Sequence, residues 1–322
     1  MNFTSLKYFL VTAEELSITR AASKLYISQQ ALSSHILKLE RELGVVLFDR
    51  YPNMHLTYAG RELADYAARI IDIERQVHRT VGDINNSLRG ELRIGMSYTC
   101  GRAILPYILP EFKQNHPMID LRLSEGNTDE LEHSLQRGDL DIVIGFAPFT
   151  LDDVETVDLV DERIFLVVPD SLLNRYYGAC YSAILSECKR NLDLELFRHM
   201  PFIMLKPGNR TRTLADEYMT QKGFVPNIIF ETENIETAYE LSRQGMGLTV
   251  YPELFYWCIP HIGDEEEHHV ELFSIPTENV IGKLQIGWLK GRYRSRAEED
   301  FAVLCKKVLV EKMNSHRLQE PA

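Results

Sequence analysis

The chain has 322 residues, 45% of them hydrophobic, and a formal net charge of −12, enough for about two domain cores and too acidic to coat nucleic acid by charge alone. No stretch reaches the ~20 apolar residues of a membrane span, and "MNFTSLKYFL" lacks the basic start and apolar run of a secretory leader, so a cytoplasmic protein is expected. Cys100, Cys180, Cys188, Cys258 and Cys305 are odd in number without C-x-x-C spacing, which excludes a disulfide framework and a cysteine zinc site.

The first predicted helix runs from Thr4 to Glu14, with Leu6, Phe9, Leu10 and Ala13 on one face. Ser17 is placed to cap a short second helix, Ile18 to Leu25, where Ala21 and Ala22 leave room for a crossing helix. Tyr26 and Ile27 turn the chain, Ser28 caps a third helix reaching Leu43, and Gly44 ends it. The third helix sorts its residues, with Ala31, Leu32, Ile36 and Leu39 on one side and Gln29, Gln30, Ser33, Ser34 and His35 on the other. A short helix, a tight turn and a longer helix with a polar face form a helix-turn-helix. Its polar side chains, with Lys38, can meet base edges and phosphates in a major groove. The same pattern also fits a plain three-helix bundle with a polar outer face. Charge helps little in choosing, since the basic side chains of residues 1–60 outnumber the acidic ones by one.

After Gly44, "VVLFDRYPNMHLTYAG" turns at Pro52 and Asn53 and predicts a small β-hairpin, or wing. One long helix follows, Tyr58 to Leu88, with Leu63, Tyr66, Ile70, Ile73, Val77, Val81, Ile84 and Leu88 stepping by three or four. That stripe predicts a coiled-coil-like seam to a second copy, and "RIIDIERQVHRT" its charged outer face. From Gly90 the texture changes. "ELRIGMS", "IDLRLSEG" and "DLDIVIGF" read as strands separated by helices at Ile104–Asn115 and Asp129–Arg137. "RIFLVVP", "PFIMLKPG", "NIIFETEN", "GLTVYP" and "KLQIGWL" continue the series, and a last helix spans Ser295 to Met313 before a frayed tail. Alternating strands and helices predict an α/β domain with a mostly parallel sheet.

Phe9, Ala21, Ala22, Leu25, Ser28, Gln29, Ser33, Ile36, Leu39, Glu40, Leu43, Gly44, Leu47, Phe48, Arg50, Leu56, Thr57, Ala59 and Gly60 together resemble the signature of LysR-type transcriptional regulators. "GELRIGMS", "GDLDIVIG" and "QGMGLTVYP" resemble that family's effector domain, in the same order. The resemblance covers essentially the whole chain. It implies an all-α winged helix-turn-helix over residues 1–58, a linker and dimerisation helix over 59–89, and an α/β effector domain over 90–315. Two α/β lobes similar to periplasmic solute-binding proteins would flank a cleft, the first from about 90–164 and 270–315, the second from about 165–269. The chain would cross between them near Ile164–Pro169 and return near Val270–Ser274.

By the same resemblance, Gln29, Gln30, Ser33, Ser34, His35 and Lys38 would approach bases or phosphates, with Asn53 and His55 of the wing over the minor groove. The implied partners are double-stranded DNA with an interrupted palindrome, a small-molecule effector, a homodimer or dimer of dimers, and RNA polymerase. No cofactor and no metal are implied. This chain departs from the family in having Gln30 where Pro is usual, Ser34 where Arg is usual, and a wing of Asn53, Met54 and His55 that is less basic. Fewer cations predict a weaker, less salt-sensitive grip on DNA and more dependence on avidity.

In the expected cleft, Ser97, Tyr98 and Thr99 end a strand and open a helix, whose free N–H groups and partial positive charge suit a carboxylate or other small anion. Arg102 either adds charge there or points to solvent. Phe202, Met204, Arg210 and Thr211 of the facing lobe would close over a ligand, and Phe146 would supply an apolar wall.

Other features read more plainly. "HIGDEEEHHVE", His261 to Glu271, reads as a solvated acidic loop rather than a metal site. Cys180 and Cys188 are a candidate redox pair, yet "PFIMLKPGNRT", near where peroxide-sensing relatives carry their reactive cysteine, has none. The stretch Asp170–Met200 is longer than the family usually shows and has no assigned role. No nucleophile elbow, P-loop or G-x-G-x-x-G after a strand points to an enzyme. A solute-binding protein would not carry the helix-turn-helix.

Overall fold

The computed structural model describes residues 1–84, 89–147, 149–258, 269–275 and 282–317. Helix α1 (Phe3–Glu15) starts where the Asn2 side chain accepts the Ser5 N–H, and it stops at Leu16, which turns left-handed. Ser17 and Ser28 cap α2 (Ile18–Lys24) and α3 (Gln29–Leu43) as their side chains predict, and Gly44 in the left-handed region ends α3. Ala21 and Ala22 are fully enclosed, and Leu6, Phe9, Leu32, Ile36 and Leu39 close a small core above them. The wing is the hairpin β1 (Phe48–Asp49) and β2 (His55–Leu56), with Phe48 opposite Leu56. Helix α4 (Tyr58–Ile84) begins so close to it that a Cβ on Gly60 would lie 2.2 Å from the Leu47 carbonyl oxygen; only glycine fits there.

Ala67 and Ile71 turn α4 toward this core, while Tyr66, Ile73, Val77 and Val81 stay 51–60% exposed within one chain. Of the predicted seam, Tyr66, Ile73, Val77 and Val81 are uncovered, whereas Leu63 and Ile70 pack against the N-terminal core, and Leu88 lies outside the described residues.

The first lobe is a five-stranded sheet in the order β4-β3-β5-β12-β6, built from β3 (Gly90–Met96), β4 (Ile119–Glu125), β5 (Ile142–Phe146), β6 (Val154–Glu162) and β12 (Gly282–Leu289). Strand β3 runs parallel to β4 and β5, whereas β12 is antiparallel to both its neighbours, so the sheet is mixed rather than mostly parallel. Helices α5 (Tyr98–Asn115), α6 (Thr128–Gln136) and α12 (Arg296–Arg317) pack on it. Two of these exceed their predicted bounds. Helix α5 starts at Tyr98 instead of Ile104 and carries Pro106 and Pro110 inside it, and α12 takes in the "NSHR" expected to fray.

The second lobe joins β7 (Ile164–Pro169), α7 (Asp170–Tyr177), α8 (Tyr181–Arg190), β8 (Pro201–Leu205), α9 (Arg210–Gln221), β9 (Asn227–Thr232), α10 (Ile235–Arg243), β10 (Thr249–Pro252), α11 (Glu253–Cys258) and β11 (Val270–Ser274). Its strands form an antiparallel set, β10-β7-β11, and a parallel pair, β8-β9. Because β11 pairs with β7, residues 270–274 belong to this lobe, and the chain returns to the first sheet only between Ile275 and Gly282. No described helix is long and apolar enough to cross a membrane.

Helix α4 meets the first lobe through ions rather than oil. Asp141, fully buried, receives Arg79 from α4 through two bonds of 2.7 Å, together with the guanidiniums of Arg93 and Arg292. Arg93 also reaches Asp72 of α4 at 3.2 Å, and Arg79 reaches Glu298 of α12 at 3.1 Å. Burial works against charge on Asp141, but Arg79 and Arg93 outweigh it and hold the carboxyl far below the usual range. Gly138, left-handed at φ 75°, sits where a Cβ would come 2.5 Å from that of Asp72.

Candidate functional site

The outer face of α3 presents Gln29, Gln30, Ser34 and Lys38 to solvent, with Ser33 half-buried beside them. Asn53 and His55 are exposed on the wing. His35 does not join this face. It falls three residues after Leu32 and four before Leu39, the row that packs on α1, and its ring stands edge-on to Tyr8 with centroids 4.9 Å apart. Glu40, from the inner side of α3, fixes the wing by accepting the Leu47 N–H at 2.8 Å. The cations of α2 are largely neutralised: Lys24 pairs with Glu14 and Glu15 at 3.0 and 3.2 Å, and Arg20 with Glu15 at 3.3 Å.

Between the lobes lies a cleft of about 620 Å³, roomy enough for a small molecule. Ser97, Tyr98, Thr99, Phe146, Arg210 and Thr211 all line it. Phe202 and Met204 do not. Side chains alternate along β8, and both point into the second lobe's own core with no exposed surface, a correction to their expected place over a ligand. Phe146 meets Phe255 edge-on at 5.9 Å and forms the apolar wall.

The physical character of the cleft comes from helix ends. Four helices begin at its rim: Ser97 caps α5, Asn127 caps α6, Asn209 caps α9 and Asn234 caps α10, and all four cap residues line the space. Each cap satisfies an N–H of its own helix, while the partial positive charge of four dipoles converges on one volume. Sequence reasoning found only the first of these. Asn127 with Glu130 three residues later is a capping box, a signal that the local residue spacing already carries. Arg210 adds a full charge; its Nε is buried without a hydrogen-bond partner among the described residues. Asp129 and Glu233 line the cleft too, but Glu233 is held by Lys206 at 2.8 Å.

Arg102 neither faces the ligand space nor points free. From α5 it pairs with Glu236 at the start of α10, tying one lobe to the other. Thiol chemistry finds little purchase: burial pushes Cys100 up to about 12 and Cys188 and Cys258 up to about 11, with Cys305 raised still further, so those four stay protonated. Of His261 to Glu271, residues 261–268 lie outside the described residues; His269 and Glu271 belong to the approach and strand of β11 rather than a free loop.

Two sequence families match the chain, "Bacterial regulatory helix-turn-helix protein, lysR family" over residues 3–61 and "LysR substrate binding domain" over residues 85–310. The uncharacterized HTH-type transcriptional regulator YcgK of Bacillus subtilis is 27% identical over 317 residues, 96% of this chain and 95% of that protein. The DNA-binding transcriptional dual regulator OxyR of Escherichia coli is 30% identical over 257 residues, 79% of this chain and 80% of its own. Full-length CbnR, solved in complex with its target DNA, superposes with a TM-score of 0.62 at 22% identity, covering 97% of this chain and all of that one.

Proposed function

Because the chain belongs to the LysR family of DNA-binding transcriptional regulators, we propose that its interlobe cleft senses a small organic anion, most simply a carboxylate. The protein regulates transcription, binds double-stranded DNA through its helix-turn-helix, and works as an oligomer rather than as an enzyme. The observation that carries the finer reading is Arg210. A guanidinium with a buried Nε that has no partner among the described residues, beside four helix N-termini, supports an anion as the ligand. Phe146 and Phe255 would hold the apolar part of such a molecule.

Binding across the two lobes would favour one lobe arrangement, and the ion network at Asp141 would pass it to α4 and so to the spacing of paired helix-turn-helix units on an interrupted palindrome in the cytoplasm. Redox sensing through cysteine is the weaker reading, since burial keeps four of the five thiols protonated.

The test is a thermal melt of the full chain against a panel of small carboxylates, amino acids and aromatic acids. A ligand at about 100 times its Kd adds about 2.7 kcal/mol and raises the midpoint by several degrees. The shift is expected to vanish in Arg210→Gln. A carboxylate that stabilises Arg210→Gln as much as wild type would place its site elsewhere.

A further inference from the structure

The excursion between β7 and β8 and the chain approaching β11 have no part in the cleft. They meet at one corner of the second lobe, and the sheet register dictates what stands there. In the antiparallel pairing of β7 with β11, Pro169 lies opposite Val270, and the Asp170 N–H donates to the His269 carbonyl at 3.1 Å. Asp170 therefore stands opposite His269. Glu271, two residues on, shares the face of His269 because strand side chains alternate. Side chains 99 residues apart in sequence are thus fixed together by backbone hydrogen bonds.

The result is an imidazole and two carboxylates with ligand atoms all within 4.8 Å of one another. His269 Nδ1 lies 3.1 Å from Asp170 Oδ2. The other oxygen of Asp170, Oδ1, is buried, and the Tyr181 hydroxyl lies against the same carboxylate. Lys189 engages Glu271 at 3.1 Å, while Asp170 faces the His269 imidazole and the Tyr181 hydroxyl. Tyr181 supports from behind, its hydroxyl hydrogen-bonded to the Asp170 carboxylate. Tyr181 and Lys189 both lie on α8, within the excursion that had no assigned role.

We propose that Asp170, His269 and Glu271 form a binding site for a divalent transition-metal ion of the zinc class. One neutral imidazole and two carboxylates are a borderline donor set suited to such an ion, and three protein ligands leave a coordination position for water. The ligands sit at the ends of paired strands, which hold them in place without a preformed loop. None of the three lines the cleft, so this is a second input to the same domain. A bound ion would pin the start of α7 to β11, the last described strand before the chain returns to the first lobe.

Full-length protein stripped with a chelator is titrated with zinc chloride, followed by calorimetry and thermal melting, beside His269→Ala, Asp170→Asn and Lys189→Ala. Wild type is expected to take a single tight equivalent per chain and melt several degrees higher. His269→Ala, an exposed change that leaves the fold intact as judged by its melt in chelator, is expected to lose both responses, as is Asp170→Asn. Lys189→Ala is expected to bind more tightly, because it removes the competing ammonium. Zinc that stabilises His269→Ala as much as wild type would show the ion sitting on other histidines. That result, or no response in wild type, overturns the assignment.

Discussion

Arg79 on the linker helix and Asp141 at the start of β5 face each other in a two-pronged pair, Nη1 to Oδ1 and Nη2 to Oδ2 both at 2.7 Å. Asp141 has no exposed surface and Arg79 has 12%, so the contact between the DNA-binding half and the effector domain is a desolvated charge network. Removing one member of a buried pair strands the others, which is costlier than never having built it.

Asp141→Asn leaves Arg79, Arg93 and Arg292 without their shared carboxylate. Loss of about 3–5 kcal/mol in a denaturant melt is the expected outcome. A change below about 1 kcal/mol would mean that water already screens the cluster.

Glu298 in the same network titrates the other way. Burial, then the charge of Asp141, push its carboxyl from 4.5 up to about 7, against the pull of Arg292 and Arg79. The folded chain holds this proton more tightly than the unfolded one, so the contribution to stability is complete below 4.5 and is lost as pH rises through about 7. Asp141, held far below the usual range, stays ionised over that window and adds no slope. Between about pH 5 and pH 8, wild type should lose up to about 3 kcal/mol of stability that Glu298→Gln keeps. Parallel melting curves for the two proteins across that range would remove Glu298 from the account.

On α3, Gln29→Ala and Lys38→Gln separate reading from holding. Gln29 is neutral and exposed near the helix start, where a side chain can bond a base edge. Its loss should lower the preference for operator over random duplex by about 1–3 kcal/mol while leaving the salt slope unchanged. Lys38→Gln should weaken both duplexes alike and reduce the slope by about 0.9 per protomer. Fluorescence anisotropy at several salt concentrations distinguishes these patterns. Unchanged specificity in Gln29→Ala would mean that another part of the chain reads the sequence.

Local rules carried much of this molecule. Caps at Ser17, Ser28 and Ser97 and the stop at Gly44 all lie where the side chains predict them, since capping needs only residues three or four apart. Errors gathered where two faces of an element compete. Phe202 and Met204 are apolar residues near a cleft, and nothing local says whether they face it or the core behind. His35 looks polar and free in the sequence, yet its row on the helix belongs to the packed side. The charged face of α4 reads as solvated, and Asp72 and Arg79 instead enter the network with Arg93 and Asp141.

The sequence by itself determined the three short helices and the hairpin of the N-terminal unit, the long linker helix, the α/β alternation and the first helix N-terminus of the cleft. Those depend on period, capping and turn chemistry, all of which act over a few residues. The choice of a winged helix-turn-helix over a plain bundle came from the family resemblance. Tertiary structure alone decided the convergence of Asn127, Asn209 and Asn234 with Ser97, the unpartnered Nε of Arg210, the ion network at Asp141 and the meeting of Asp170 with His269. Each joins residues far apart in the chain, and only sheet register and lobe packing set how close such groups come and how much water remains between them.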